Sequence, residues 1–154
     1  MNDLRRTFLK LTGATGAVAV AVACGLLRSG QAWAAWNQGA FSSKAVADAL
    51  TNLGASNLIA SKDIVITAPD IAENGAVVPV AVASKIPNTQ TISILAEKNP
   101  FPLVATFDIS NGSESYVSTR LKMGQTSNVR AVVKADGKFY TAIKEVKVTI
   151  GGCG

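Results

Sequence analysis

The sequence predicts an all-β chain, an immunoglobulin-like antiparallel β-sandwich with a short N-terminal helix and a flexible C-terminal arm. Three observations carry this prediction. Between residues 64 and 150, segments with apolar side chains at alternate positions follow one another, as in strands with one buried face. Turn residues separate these segments at short intervals, and only one stretch of the chain has helical periodicity. About seven strands without a second helix are typical of two packed sheets.

The first 34 residues have the organisation of an export signal. Arg5 and Arg6, followed by Thr7-Phe8-Leu9-Lys10, form a twin-arginine pattern, and a weakly apolar run covers residues 11–27. Ala32-Trp33-Ala34 has the small residues at alternate positions that a cleavage site requires. We expect export to the periplasm by the twin-arginine pathway. The predicted regions are a signal peptide (1–34), a sandwich domain (35–150) and a mobile carrier arm (151–154).

Two other interpretations of the leader stay open. The apolar run of seventeen residues reaches the lower limit of a transmembrane helix, although glycines interrupt it and a cleavage site follows. Cys24 would be the attachment residue of a lipid anchor, but Ala21 stands where such signals usually have leucine. With cleavage before Ala35, we expect no membrane attachment of the mature chain.

Cleavage before Ala35 changes both the charge and the cysteine count. Four of the 15 Lys and Arg and one of the 10 Asp and Glu precede this position, so the remaining 120 residues carry a net charge of +2. No cluster of cations interleaved with aromatic residues remains, which argues against a nucleic-acid partner. Cys153 becomes the only cysteine. In an oxidising compartment such a cysteine pairs between molecules or is a working thiol.

The single helical pattern covers residues 44–53. Ser42 and Ser43 precede it as candidate caps, and Gly54 stands where a helix would end. We expect a helix that covers one end of a sheet and carries no site. Its apolar residues recur at three- and four-residue steps: Phe41, Ala45, Val46, Ala49, Leu50 and Leu53.

Seven predicted strands follow the helix. Pro79 restricts the second of them to an edge, a bulge or a pairing gap, because proline cannot donate a backbone hydrogen bond. Asp136-Gly137, between the last two, is the strongest hairpin signal in the chain. The last strand has Val146 and Val148 on one face and Lys147 on the other. The strands are predicted at residues 64–67, 76–83, 91–96, 103–109, 116–123, 128–135 and 138–150.

Elimination removes most kinds of chemistry from the body of the domain. The chain has no histidine, which opposes histidine-based triads, most zinc sites and histidine-ligated haem. It also has no CxxC pair, no glycine-rich phosphate loop and no Asp-rich calcium loop. Asp70 and Glu73 are close in sequence, but a solvated turn accounts for them. We therefore expect no catalytic residue, no metal ligands and no cofactor.

The remaining candidate is Cys153, flanked by Gly151, Gly152 and Gly154. Glycine has no Cβ and samples positive φ, so these residues predict a thin, mobile arm that carries one sulfur atom into a narrow pocket of another protein. The thiolate is the reactive form, and an ordinary thiol has a pKa of about 8.5. The arm has no cation, and the carboxylate of Gly154 disfavours a second negative charge. We expect a thiol that is activated only by the enzyme that receives it.

Four segments of the chain carry a resemblance to a known family. They are residues 99–107, which begin Asn99-Pro100-Phe101-Pro102, residues 118–122, residues 136–140, and residues 146–154, which end Gly151-Gly152-Cys153-Gly154. In these segments the chain resembles the SoxY family, the sulfur carriers of the thiosulfate-oxidising Sox system. Members of that family typically end Gly-Gly-Cys-Gly-Gly, and this sequence has one glycine fewer after the cysteine.

The resemblance implies a heterodimer with a SoxZ-like subunit and identifies Cys153 as the carrier cysteine. It also implies three transient partners. A haem-containing SoxAX-like cytochrome would couple thiosulfate to Cys153 as a cysteine S-thiosulfonate, and a SoxB-like hydrolase would release sulfate and leave a persulfide. A sulfane dehydrogenase, where present, would oxidise the remaining sulfur. Haem and metal would belong to these partners, so this chain would carry only sulfur on Cys153 and would not itself be an enzyme.

Two functions from other classes stay open on the sequence. An exported structural or adaptor module would use its lone cysteine only for intermolecular disulfides. A thiol-dependent sulfurtransferase acting without partners would need an activated thiol, which the lack of histidine opposes.

Overall fold

The computed structural model describes residues 37–110 and 112–149. The predicted signal peptide, with Arg5 and Arg6, and the predicted arm at residues 151–154 lie outside the described residues. The elements are α1 (Gln38–Ser42), α2 (Val46–Asn52), β1 (Leu58–Ala60), β2 (Ile64–Thr67), β3 (Ile71–Ala72), β4 (Val78–Ser84), β5 (Thr89–Ala96), β6 (Leu103–Asp108), β7 (Tyr116–Leu121), β8 (Ser127–Ala135) and β9 (Lys138–Val148).

The strands form the predicted sandwich of two sheets. In the larger sheet the order is β1-β9-β8-β5-β6, and β3 also pairs with β9; in the smaller sheet it is β2-β4-β7. The long pairings are antiparallel, as predicted, and the seven predicted strands are present with ends that differ by two residues at most. The structure adds β1 and β3, which both run parallel to β9. Strands of two or three residues are too short to show alternation, so the sequence did not reveal them.

The main core lies between the two sheets. Alternate residues of β4, β5 and β8 fill it, and Val80, Ile92, Ile94 and Val133 are all buried there. Full burial of an aliphatic side chain stabilises the fold by about 1.5–3 kcal/mol. This core fixes the two sheets against each other. It also includes Val146 near the end of β9, so that end of the strand is anchored in the core.

The helices pack on the outer face of the larger sheet. Ala40 of α1 and Ala49 of α2 are fully buried in a second cluster with Leu95 and Val132. The helix predicted at residues 44–53 is present as α2, two residues shorter at its start. The expectation of one helix that covers a sheet end was wrong, because two helices pack on a sheet face. Ser43 does not cap the second helix, because its hydroxyl donates to the carbonyl of Gly39 at 2.8 Å and so belongs to the end of α1. With only five residues, α1 is too short to have a recognisable period.

The backbone confirms one turn prediction and the prediction for a proline within a strand. Asp136 and Gly137 both have positive φ, 48° and 72°, as a two-residue hairpin with the twist of its strands requires. Pro79 lies in the central strand of the smaller sheet, paired with Arg120 of β7, but the pairing of β2 with β4 extends only from Ala81 to Ser84. Pro79 therefore lies in a pairing gap, one of the three expected positions.

Candidate functional site

The strand β9 leads to the predicted arm. It pairs with β8 from Lys138 to Val146, and its alternation is as predicted, with Val146 fully buried and Lys147 exposed. Thr149 is the last described residue, and Cys153 follows it by four residues. Four extended residues span at most about 13–14 Å. The base of the arm therefore lies where β9 ends.

Hydrogen bonds from two sides hold this end of β9. On one side the N–H of Lys147 donates to the carbonyl of Asp70 at 3.0 Å, and that of Thr149 donates to the carbonyl of Ala72 at 3.2 Å. On the other side the N–H of Val148 donates to Thr126 Oγ1 at 3.0 Å. Consecutive residues of a strand direct their N–H groups to opposite sides, so β3 and Thr126 together fix the last three described residues.

Gly75 packs against these last residues of β9, which we call clamped by β3 and Thr126. Its carbonyl accepts the N–H of Met123 at 2.7 Å. A Cβ on Gly75 would collide with the carbonyl oxygen of Met123 and would approach Val148 Cγ1 to 2.7 Å. A side chain at residue 75 therefore has no room. The loop 73–77 can contact both the loop 122–126 and the end of β9 only with glycine at this position.

A third loop joins the same end of the sandwich. In residues 97–102, the N–H of Lys98 donates to Ser127 Oγ at 3.0 Å, and Asn99 Nδ2 donates to the carbonyl of Lys122 at 2.7 Å. Gln125 Nε2 donates to the carbonyl of Lys98 at 3.4 Å. We call the surface of loops 73–77, 97–102 and 122–126, with residues 147–149, the arm-base surface.

An ion pair fixes the start of the loop 97–102. Glu97 Oε1 accepts from Arg130 Nε at 2.8 Å and lies 2.6 Å from the same guanidinium's terminal nitrogen. Asn128 Nδ2 donates to the other carboxylate oxygen at 3.0 Å. Both charged side chains are only 19% exposed. A charge-assisted bond of this geometry, largely shielded from water, restrains the backbone at Glu97 and therefore the loop that follows.

The charges that remain at the arm-base surface are mostly positive. Lys98, Lys122 and Lys147 are exposed, and within residues 37–110 and 112–149 no carboxylate pairs with them. Glu73 is the exposed carboxylate among these loops. Asp70 is 89% exposed and pairs with Lys144 at 3.0 Å, as suits a solvated turn residue.

The described part of the chain has no cluster of three or more Cys, Asp or Glu residues that could hold a metal ion. Over the same residues, every buried side-chain nitrogen and oxygen has a hydrogen-bond partner. No helix of the described segments is long and apolar enough to cross a bilayer.

The predicted site residues Cys153, Gly151, Gly152 and Gly154 lie outside the described residues. Sequence reasoning missed the groups that form their base, namely Thr126, Gly75 and β3. Their contacts join residues that are far apart in the chain, so no local pattern marks them. A glycine beside Asn74 in a loop was the one available hint, and it is equally typical of an ordinary turn.

Comparisons with known proteins agree on one family. The model of the family described as "Sulfur oxidation protein SoxY" matches residues 50–153. Among solved structures, the sulfur carrier protein SoxY from Chlorobium limicola f thiosulfatophilum is 45% identical, with a TM-score of 0.64, over 73% of this chain and 99% of that chain. A superoxide reductase (neelaredoxin) from Ignicoccus hospitalis is 21% identical, with a TM-score of 0.50, over 56% of this chain and 79% of that chain, and shares the fold alone. No curated protein matches significantly.

Proposed function

Because this chain belongs to the SoxY family of sulfur oxidation proteins, we propose that it is a periplasmic covalent sulfur carrier which holds thiosulfate-derived sulfur on Cys153 and presents it to Sox enzymes. The family and the related structure establish a sulfur carrier in sulfur oxidation. One observation carries the finer proposal: the family match extends to residue 153 and so includes the Gly-Gly-Cys segment.

The structure supports a carrier that works through a short arm. Val148 and Thr149 are held by Thr126 and Ala72, and Cys153 follows only four residues later. A rigid base with a glycine-flanked thiol beyond it limits the volume that the sulfur can sample to a radius of about 14 Å. Limiting the search in this way raises the effective concentration of the thiol at a partner's pocket.

The proposed reaction on Cys153 has two steps. In the first, the thiol and thiosulfate form a new S–S bond as a cysteine S-thiosulfonate; one proton leaves, and two electrons pass to a haem-containing SoxAX-like cytochrome. In the second, water attacks the terminal sulfonate sulfur in a SoxB-like hydrolase. The S–SO₃ bond breaks, sulfate and a proton leave, and a persulfide stays on Cys153. Where a sulfane dehydrogenase is present, it oxidises the remaining sulfur further.

In these steps this chain acts as the carrier, the subunit that bears the substrate for its partner enzymes, rather than as the enzyme. The sandwich supplies the arm-base surface, and the acid–base and redox groups belong to the partners. A SoxZ-like subunit completes a heterodimer with this chain. Arg5 and Arg6, with the cleavage pattern before Ala35, support export through the twin-arginine pathway before these encounters.

The test is the intact mass of the mature protein from thiosulfate-grown cells, measured with and without reductant. We expect a mass gain that reductant removes and that peptide analysis assigns to Cys153 as persulfide or thiosulfonate. Cys153→Ser should fold normally, lack this mass gain and abolish thiosulfate-dependent turnover in the reconstituted pathway. A bare thiol, or only a disulfide between two copies, would contradict the carrier and favour the structural module. The same spectrum also shows whether cleavage occurs before Ala35.

A further inference from the structure

The short length of the predicted arm limits where a partner enzyme can bind on the sandwich. The base is fixed at Thr149, and the thiol of Cys153 lies at most about 14 Å beyond it along an extended chain. An enzyme that takes this thiol into a pocket must therefore bring its own surface close to the end of β9. The part of the sandwich that surrounds this end is the arm-base surface.

The arm-base surface has a distinct charge. Lys98, Lys122 and Lys147 are exposed without a carboxylate partner among the described residues, against one exposed carboxylate, Glu73. Hydrogen bonds to the backbones of Lys98 and Lys122 fix where these two lysines leave the surface, and no carboxylate of residues 37–110 or 112–149 pairs with their side chains. Unpaired positive charges at fixed positions favour association with a protein surface that carries negative charge.

The opposite end of the sandwich differs, so the lysine cluster is not a general property of this protein. That end consists of the loops 61–63 and 85–88, the hairpin 135–138, and residues 108–110 and 112–115, which begin with the last residue of β6. At this end the exposed cations Lys62, Lys85 and Lys138 face four exposed carboxylates, which are Asp63, Asp108, Glu114 and Asp136. The uneven distribution gives a protein of small net charge a positive end, and this is the end from which the arm leaves.

An apolar anchor accompanies the lysines. Phe101 is 50% exposed in the loop 97–102, although the adjacent Pro102 is fully buried and its carbonyl accepts the N–H of Ala96 at 2.8 Å. The loop therefore presents the ring of Phe101 on a fixed backbone. A half-exposed aromatic side chain on a rigid loop is typical of the anchor residues of protein interfaces.

We propose that the arm-base surface is the docking site for the enzymes that receive the arm, and that the mouths of their pockets carry acidic side chains around an apolar contact for Phe101. The inference rests on the proposed carrier function and adds the surface and the partner's chemistry to it. Because each enzyme must use the same surface, only one can be engaged at a time, and release of one must precede binding of the next.

The test compares two double charge reversals in the mature chain, assembled with its SoxZ-like subunit. Lys98→Glu with Lys122→Glu changes the arm-base surface, and Lys62→Glu with Lys85→Glu makes the same change in net charge at the opposite end. The reaction followed is thiosulfonate formation on Cys153 with thiosulfate and the haem-containing cytochrome, measured as kcat/KM for the carrier by intact mass. The rates are measured from about 0.02 to 0.5 M salt, a range over which the screening length falls several-fold.

We expect the wild-type kcat/KM to fall as salt rises. The Lys98/Lys122 reversal should lower it by about 10- to 100-fold at low salt and flatten its salt dependence, because steering is lost. The Lys62/Lys85 reversal should stay within about twofold of wild type. Phe101→Ala should lower kcat/KM by a factor that is independent of salt. Alkylation of Cys153 by iodoacetamide, a small neutral reagent, should proceed at one rate in all variants.

The outcomes separate this inference from the one it rests on. If the wild-type chain is loaded normally and both reversals behave alike, the docking surface is overturned while the carrier function stands. A slower alkylation of Cys153 in the Lys98/Lys122 variant would also overturn it, since the lysines would then act on the arm itself. If the wild-type chain is not loaded at all, the carrier function fails, and the docking inference fails with it.

Discussion

The hydroxyl of Thr126 accepts the backbone N–H of Val148 at 3.0 Å, 22 residues further along the chain. This bond occupies the side of β9 opposite to β3, where β8 has not yet begun to pair. A side chain therefore replaces a strand at the point where the ladder ends. The bond keeps β9 regular to its last described residues, and so the predicted arm would start from a fixed strand end.

Thr126→Val keeps the shape of the side chain and removes the acceptor. The N–H of Val148 then loses its partner, and we expect the free energy of unfolding to fall by about 1 kcal/mol. Urea unfolding of the mature chain measures this, and hydrogen exchange of the Val148 amide should become faster. The control is Thr51→Val on the exposed face of α2, where the hydroxyl donates to the Ala47 carbonyl at 2.9 Å and we expect a change within about 0.5 kcal/mol. Equal effects of the two changes, or unaltered exchange at Val148, would contradict the clamp.

Gly75→Ala should be markedly destabilising, because the new Cβ meets the backbone carbonyl of Met123, which has no freedom to rotate away. We expect a loss of about 1–3 kcal/mol, as for overpacking of a filled site. Gly124→Ala in the neighbouring loop is the matched control, since a Cβ there meets nothing within 4 Å, and it should change stability by no more than about 0.5 kcal/mol. Thermal unfolding of both variants gives the comparison. If both melt at the wild-type temperature, the close packing of the loop 73–77 against Val148 is wrong.

The ion pair of Glu97 and Arg130 should contribute more to stability than that of Asp70 and Lys144. The first pair is largely shielded, and its carboxylate accepts two hydrogen bonds besides the ion-pair contact, so Glu97→Gln should cost about 1.5–3 kcal/mol. Asp70 is 89% exposed, and Asp70→Asn should cost less than about 0.5 kcal/mol. Urea unfolding at low and high salt measures both. A double-mutant cycle of Glu97→Gln with Arg130→Met that gives no coupling would refute the importance of the shielded pair.

The alternation of apolar and polar side chains was enough to locate the seven longer strands. In a strand with one buried face, this pattern repeats every two residues whichever strand it pairs with. The Asp136-Gly137 hairpin was equally local, since both positive φ values arise from the two residues themselves. The helical pattern predicted α2 but not α1. Ser43 was assigned to the wrong helix, because a serine between two helical turns can bond in either direction and the fold determines which.

Pairings between distant segments were not predictable in this way. Thr149 donates to the carbonyl of Ala72, 77 residues earlier, and a two-residue strand has no periodicity from which such a contact can be inferred. Gly75 shows the same limit, because its lack of a side chain matters only once Met123 and Val148 lie against it. The charge at the arm base is also invisible in the sequence, where Lys98, Lys122 and Lys147 are well separated.

The sequence by itself determined the all-β class, the family and the prediction of a single working thiol on Cys153, because each follows from residue types in a local pattern. The tertiary structure alone decided how the end of β9 is held and which loops surround it. Strand register, the parallel neighbours of β9 and the meeting of three loops depend on contacts across the whole chain. Those contacts arise when two sheets close over one core, and no short segment encodes them.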